Sequence, residues 1–179
     1  MLRLLRELIE SVVLALLLFF VLETTVQNTR VDGYSMEPTL YDHQYLLVNK
    51  MAYRLRPPQR GDIIVFYSPY DPQQEFIKRI IGLPGEQVEI REGQVYINGQ
   101  PLEESYYVKS GDYSWGPATV GDMEYFVLGD NRAQSNDSHT WGMLPADNIV
   151  GQAWISLWPP EQWGFVSSFP VKPPAREGG

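Results

Sequence analysis

From about residue 45 onward the chain is built from short apolar segments in period two, and this pattern restricts its fold more than any other feature. Residues 45–48, 63–66, 76–81, 88–90, 95–97, 125–128 and 153–155 are of strand length and rich in Ile, Val, Tyr and Phe. Turn formers separate them: Pro57-Pro58, Pro69 and Pro72, and Gly82-Leu83-Pro84-Gly85. Asn98-Gly99 is the two-residue signal of a tight hairpin. Residues 103–122, rich in Ser, Tyr and Gly, read as a surface excursion. The expected fold is mainly β: a single antiparallel β domain hung from one N-terminal helix.

That helix is read from residues 4–26, mostly apolar and without a charge from Ser11 to Leu22. Residues 8–22 alone rise about 22 Å as a helix, against roughly 30 Å of hydrocarbon in a bilayer. Spanning therefore requires Leu4, Leu5 and residues 24–26 as well, with Arg6, Glu7 and Glu10 reaching toward the headgroups. A cleaved export signal is the competing reading, but Leu22-Glu23-Thr24-Thr25-Val26 offers no small-x-small cleavage site. Arg3 and Arg6 precede the apolar run, which predicts a cytoplasmic N-terminus and an extracytoplasmic domain. The expected organisation is a transmembrane anchor over 1–26, a β domain over 27–169 and a flexible tail over 170–179.

Composition narrows the function. A net charge of −8 offers no basic surface for nucleic acid. Cysteine is absent, which removes disulfides, thiolate metal sites and cysteine nucleophiles together. The two histidines, His43 and His139, lack the spaced carboxylates of a metal site, so no metal is expected.

Three segments carry chemistry. Ser35 lies in Ser35-Met36-Glu37-Pro38-Thr39-Leu40, where Pro38 restricts the backbone and Gly33 permits an unusual torsion. Such a turn can expose a hydroxyl and aim backbone N–H groups at an oxyanion; equally, a turn serine can simply cap its own loop. Lys78 sits in the apolar strand Phe76-Ile77-Lys78-Arg79-Ile80-Ile81. Alternation sends Lys78 and Arg79 to opposite faces, so one is expected in solvent and the other desolvated. A desolvated lysine loses its proton more easily and can serve as a base; an edge-strand lysine that blocks aggregation is the alternative. The third segment, residues 129–139, packs Asp130, Arg132, Ser135, Asp137 and His139 into one polar loop able to orient an amine. Asp137 and His139, two apart, could pair directly, but nothing places either histidine beside Ser35 for a Ser-His-Asp triad.

In order, the Ser35 segment, Arg60-Gly61-Asp62-Ile63-Ile64-Val65-Phe66, Lys78-Arg79-Ile80-Ile81-Gly82-Leu83-Pro84-Gly85 and residues 129–138 make the chain resemble the bacterial type I signal peptidases, Ser–Lys serine proteases. The resemblance implies Ser35 as nucleophile and Lys78 as general base. Ser135 would hydrogen-bond the lysine amine, Asp130 and Arg132 would hold the loop, and Asp137 would support the site from behind. Val31, Leu40, Leu46, Val65, Phe76 and Ile77 match the apolar substrate pockets, and Gly33 and Met36 complete the substrate-binding set. The implied substrates are signal peptides of exported preproteins with small residues at the first and third positions before the cut, bound as an added strand. No cofactor is implied, and the implied location is the bacterial plasma membrane, in contact with its lipid. Gly33 stands where many members carry an oxyanion-binding hydroxyl, His139 replaces the usual arginine, and Glu86 a common aspartate. Residues 158–165, with Trp158, Trp163 and Phe165, suit either a headgroup zone or the core. Two other functions fit parts of the pattern: a non-catalytic membrane-tethered binder of export signals, and a Ser–Lys self-cleaving regulator. The regulator would need a DNA-binding domain or a cleavable Ala-Gly linker before the serine, and neither is visible.

Overall fold

The period-two segments form strands in a computed structural model that describes residues 2–104, 106 and 108–166; the expected tail over 170–179 lies outside those residues. Helix α1 (Leu2–Thr25) runs directly into β1 (Val26–Arg30). There follow β2 (Tyr45–Asn49), α2 (Ala52–Leu55), β3 (Ile63–Tyr67), β4 (Glu75–Gly82), β5 (Gln87–Arg91), β6 (Gln94–Ile97) and β7 (Gln100–Pro101). The remainder comprises β8 (Trp115–Thr119), β9 (Glu124–Leu128), α3 (Ser138–Trp141), β10 (Leu144–Pro145), β11 (Ile149–Trp158) and β12 (Gly164–Phe165).

Two antiparallel sheets result. The first runs β1-β2-β11-β3-β4-β9-β10 with β12 on β11; the second runs β7-β6-β5-β8. In the first sheet β3 is central and apolar on both faces, with Ile63, Ile64, Val65 and Phe66 all buried. Ile63 and Val65 join one cluster with Met36, Leu46 and Ile77, while Ile64 and Phe66 join another with Ile80 and Val127. The sheet is therefore covered on both sides where β3 meets β4. Asn98 and Gly99 adopt left-handed torsions, φ 52° and 79°, and close the expected hairpin between β6 and β7. Gly82 ends β4 where a Cβ would lie 2.5 Å from Val88 and 2.9 Å from Phe126, so the second sheet can pack tightly against it.

Two expectations are corrected. Residues 103–122 are not wholly a surface excursion: 115–119 form β8, which pairs with β5. Pro117 is tolerated there because β8 is an edge, and Trp115 anchors it with its ring 4.5 Å from that of Phe126. The second correction concerns the anchor. No helix among the described residues is long and apolar enough to cross a membrane. The uncharged run of α1, residues 11–22, covers only about 18 Å, and Arg3, Arg6, Glu7 and Glu10 occupy its first half. The helix is nonetheless apolar and bare: Leu8, Phe19 and Phe20 are more than 60% exposed.

A candidate active site

The serine turn is held from below and from the side. Met36 and Leu40 are buried in the core cluster, and Leu40 N donates to Met36 O at 2.9 Å. Gly33, with φ 91°, donates its N–H to Asp42 Oδ1 at 2.8 Å. Asn131 clamps the other side: its N–H donates to Ser35 O at 3.0 Å and its Nδ2 to Tyr34 O at 3.1 Å. Gly129 makes that approach feasible. A Cβ there would fall 2.4 Å from Ser35 O and 2.3 Å from Ser135 Oγ.

Lys78 comes from β4, opposite Ile64 of β3. Its side chain ends at Ser35, with Nζ 2.7 Å from Oγ, 3.0 Å from Ile77 O and 5.4 Å from the Phe76 ring centre. The residue is 4% exposed. Burial pushes the amine down from its ordinary 10.5 to about 8, while Asp137 and Asp130 pull it partly back up. A pKa near 8 leaves roughly a tenth of the amine neutral at pH 7, with its lone pair available to the serine proton.

The expected split between one buried and one solvated cation is overturned. Arg79 is fully buried as well, because β4 is covered on both faces. Its charge is balanced by Asp130, which accepts from Nε at 2.8 Å and from Nη2 at 2.6 Å. Nη1 donates to Gly61 O at 2.8 Å, and the guanidinium lies 4.0 Å from the Tyr106 ring centre. Thr39 Oγ1 donates to the same Asp130 at 2.5 Å. The 129–137 loop is thus tied to the strand beside Lys78 and to the serine turn at once. Arg132 donates to Gly129 O at 3.0 Å and pairs with Glu104. Asp137 is buried; Oδ2 accepts from Gly129 N at 2.9 Å, and Oδ1 lies 2.6 Å from His139 Nδ1. His139 also stacks on Tyr113 at 4.2 Å.

Ser135 does not do what was expected of it. Its hydroxyl is buried and has no hydrogen-bond partner among the described residues, and the amine's second contact is Ile77 O instead. Asn131, Arg79, Thr39 and Gly129 were missed as parts of the site, although an arginine in an apolar strand and an aspartate in a distant polar loop were a legible pair.

A groove of about 490 Å³ opens in front of Ser35 and Lys78, lined by residues 28–32 on one side and 73–78 on the other. Among the described residues β1 pairs only with β2. β4 pairs with β3 along 75–79 and with β9 only from Arg79 onward, so Glu75 to Lys78 present an unpaired edge. Two free strand edges therefore face one groove. Of the expected substrate residues, Val31, Met36, Phe76 and Ile77 line it. Gly33, Leu40, Leu46 and Val65 do not; the last three lie in the core beneath the groove floor. Asp32, Asp42 and His43 come together closely enough to share a cation. Arg30 already fills that cluster, with Nη2 2.5 Å from His43 Nδ1 and Nε 3.5 Å from Asp32 Oδ1.

A hydroxyl against a desolvated lysine, at the end of a groove with two open strand edges, is equipment for hydrolysing an extended peptide. Sequence comparison agrees. The family model described as "Signal peptidase, peptidase S26" matches residues 5–158, and the chain belongs to that family of peptidases. It is 46% identical over 171 residues to the probable signal peptidase I-1 of Synechocystis sp., covering 91% of this chain and 85% of that one. It is 45% identical over 174 residues to signal peptidase I of Leptolyngbya laminosa, covering 93% and 86%. A solved signal peptidase I from Enterococcus faecalis V583 is 39% identical, covers 54% of this chain and 97% of its own, and gives a TM-score of 0.47.

Proposed function

We propose that the protein is a membrane-attached serine endopeptidase that removes N-terminal signal peptides from exported preproteins, cutting after small residues. The observation that carries this is the 2.7 Å contact between Ser35 Oγ and a Lys78 amine lowered to about 8. Neutral Lys78 takes the serine proton as Oγ attacks the scissile carbonyl. The oxyanion rests mainly on the Ser35 backbone N–H, Gly33 having no hydroxyl to add. The protonated amine then gives its proton to the leaving amine of the mature protein. In the second half-reaction Lys78 deprotonates the water that releases the signal peptide from Ser35. Asp130, Arg132 and Asp137 hold the loop that positions Ser35, and Ser135 stands beside Gly129 at the rear of the site.

The signal peptide lies extended between the free edges of β1 and β4. Val31, Met36 and Ile77, each less than 10% exposed, fill the floor, which leaves depressions suited to alanine rather than to larger side chains. Leu40, Leu46 and Val65 set the depth of that floor from beneath. Helix α1 attaches residues 27 onward, the catalytic domain, to the membrane. Its hydroxyls suit lipid, since Thr24 and Thr25 donate back to helix carbonyls at 2.8–3.3 Å, and four of its five charges are paired, as Arg3–Glu7 and Arg6–Glu10. The domain then works at the extracytoplasmic face of the plasma membrane, where export signals emerge.

The test is cleavage of a preprotein bearing an Ala-x-Ala site by the full chain in detergent micelles. Ser35→Ala and Lys78→Ala should each abolish turnover, and the double variant should be no worse. Lys78→Arg should also be inactive, since a guanidinium keeps its proton at any working pH. Substantial residual turnover in either alanine variant would remove the mechanism; signal-peptide binding without cleavage by the wild type would make the protein a tethered binder.

A further inference from the structure

The groove is bridged by one carboxylate. Glu75, the first residue of β4, reaches across to β1, where Gln27 Nε2 donates to Oε1 at 2.7 Å and Thr29 Oγ1 to Oε2 at 3.3 Å. Gln27 and Thr29 share the buried face of β1 with Val31, while Arg30 and Asp32 take the opposite, exposed face at the groove's rim and pair with each other. On β4, Glu75 shares a face with Ile77. No cation neutralises Glu75 among the described residues: both of its partners are neutral, so a negative charge spans the space a substrate strand would occupy.

We propose that Glu75 is a specificity-determining residue that reads the charge of the substrate upstream of the cleavage site, favouring a basic side chain and rejecting an acidic one. This rests on the groove reading given above. Glu75 lies three residues before Lys78, about 10 Å along the strand, which places it beside the fourth or fifth substrate residue before the cut. In an extended substrate the first, third and fifth residues share a face. With the first and third against Ile77, the fifth falls against Glu75. A lysine there replaces the clasp's two donors with a charged one and meets an unneutralised carboxylate; a glutamate there meets like charge.

The experiment uses the full chain in micelles and three otherwise identical Ala-x-Ala peptides carrying Lys, Gln or Glu at the fifth position before the cut. The wild type should show kcat/KM in the order Lys, Gln, Glu, with Lys over Glu by about tenfold, the size expected for opposed and like charges a few ångströms apart in a partly solvated groove. Glu75→Gln keeps a side chain able to bond Gln27 and Thr29, so it should cleave all three peptides but bring the ratio close to one, and Glu75→Lys should reverse it. An unchanged ratio in Glu75→Gln overturns the proposal, even if the overall rate falls, as does a wild type indifferent to the three peptides. If the wild type cleaves none of them, the peptidase mechanism fails rather than the role of Glu75.

Discussion

Burying an amine whose pKa falls from 10.5 to about 8 costs stability, and the cost can be measured by removing the amine. Below pH 8 the lysine is protonated in both folded and unfolded chains, and the folded state carries the full penalty, about 3 kcal/mol at 1.36 kcal/mol per pH unit. Between pH 8 and 10.5 the unfolded chain binds more protons than the folded one, so wild-type stability rises with pH through that window. Lys78→Met keeps the shape of the side chain, removes the penalty and forfeits the contacts to Ser35 Oγ and Ile77 O, each worth about 1 kcal/mol. The inactive variant should therefore be more stable than wild type at pH 7 by about 1–2 kcal/mol. That advantage should shrink above pH 8 and reverse near pH 9. Urea unfolding in micelles reads it as a midpoint raised by about 0.5–1 M at pH 7, for a slope near 2 kcal/mol per molar. A difference that stays constant from pH 7 to 10 would refute the desolvated-lysine argument, whatever its sign.

Other outcomes follow from the same contacts. The rate of wild-type cleavage should rise with pH to half its maximum near pH 8, because the neutral amine is the reactive form; a profile flat from pH 7 to 9 counts against Lys78 as base. Gly129→Ala should fold but lose about a hundredfold in kcat, since its Cβ would press on Ser35 O and displace the nucleophile; near-normal turnover would show that the turn is free to move. Asp130→Ala leaves the Arg79 guanidinium buried without its partner and should cost about 3–5 kcal/mol in denaturant unfolding.

What could be read from the sequence was local or strongly patterned. The Asn98-Gly99 hairpin, the central strands and the Asp137–His139 contact depend on neighbours a few residues apart, where turn chemistry and alternation decide the outcome. Depth was not legible. Leu40, Leu46 and Val65 have the residue types of pocket walls, but alternation gives the face of a strand and not whether another layer covers it. The Ser135 hydroxyl missed the amine for a similar reason: which contact a short side chain makes is settled by the close packing around Gly129, which no spacing records. Strand β8 was hidden because Gly116 and Pro117 read as loop residues until an edge position tolerates them.

The failed expectation about β4 is the most instructive, because the clue was present in its neighbour. Residues 63–66 are apolar at every position, the mark of a strand covered on both faces, and β4 pairs with that strand along five residues. Two adjacent cations in β4 must then both be buried, and only their partners can distinguish them. Arg79 meets a carboxylate in a two-pronged contact that balances its charge. Lys78 meets a hydroxyl and a carbonyl, neither of them charged, and its nearest anions act only from a distance. The same burial therefore makes one cation a structural pin and the other a base. Exchanging the two residue types would destroy both roles: an arginine at 78 could not release its proton, and a lysine at 79 could not match the two oxygens of Asp130.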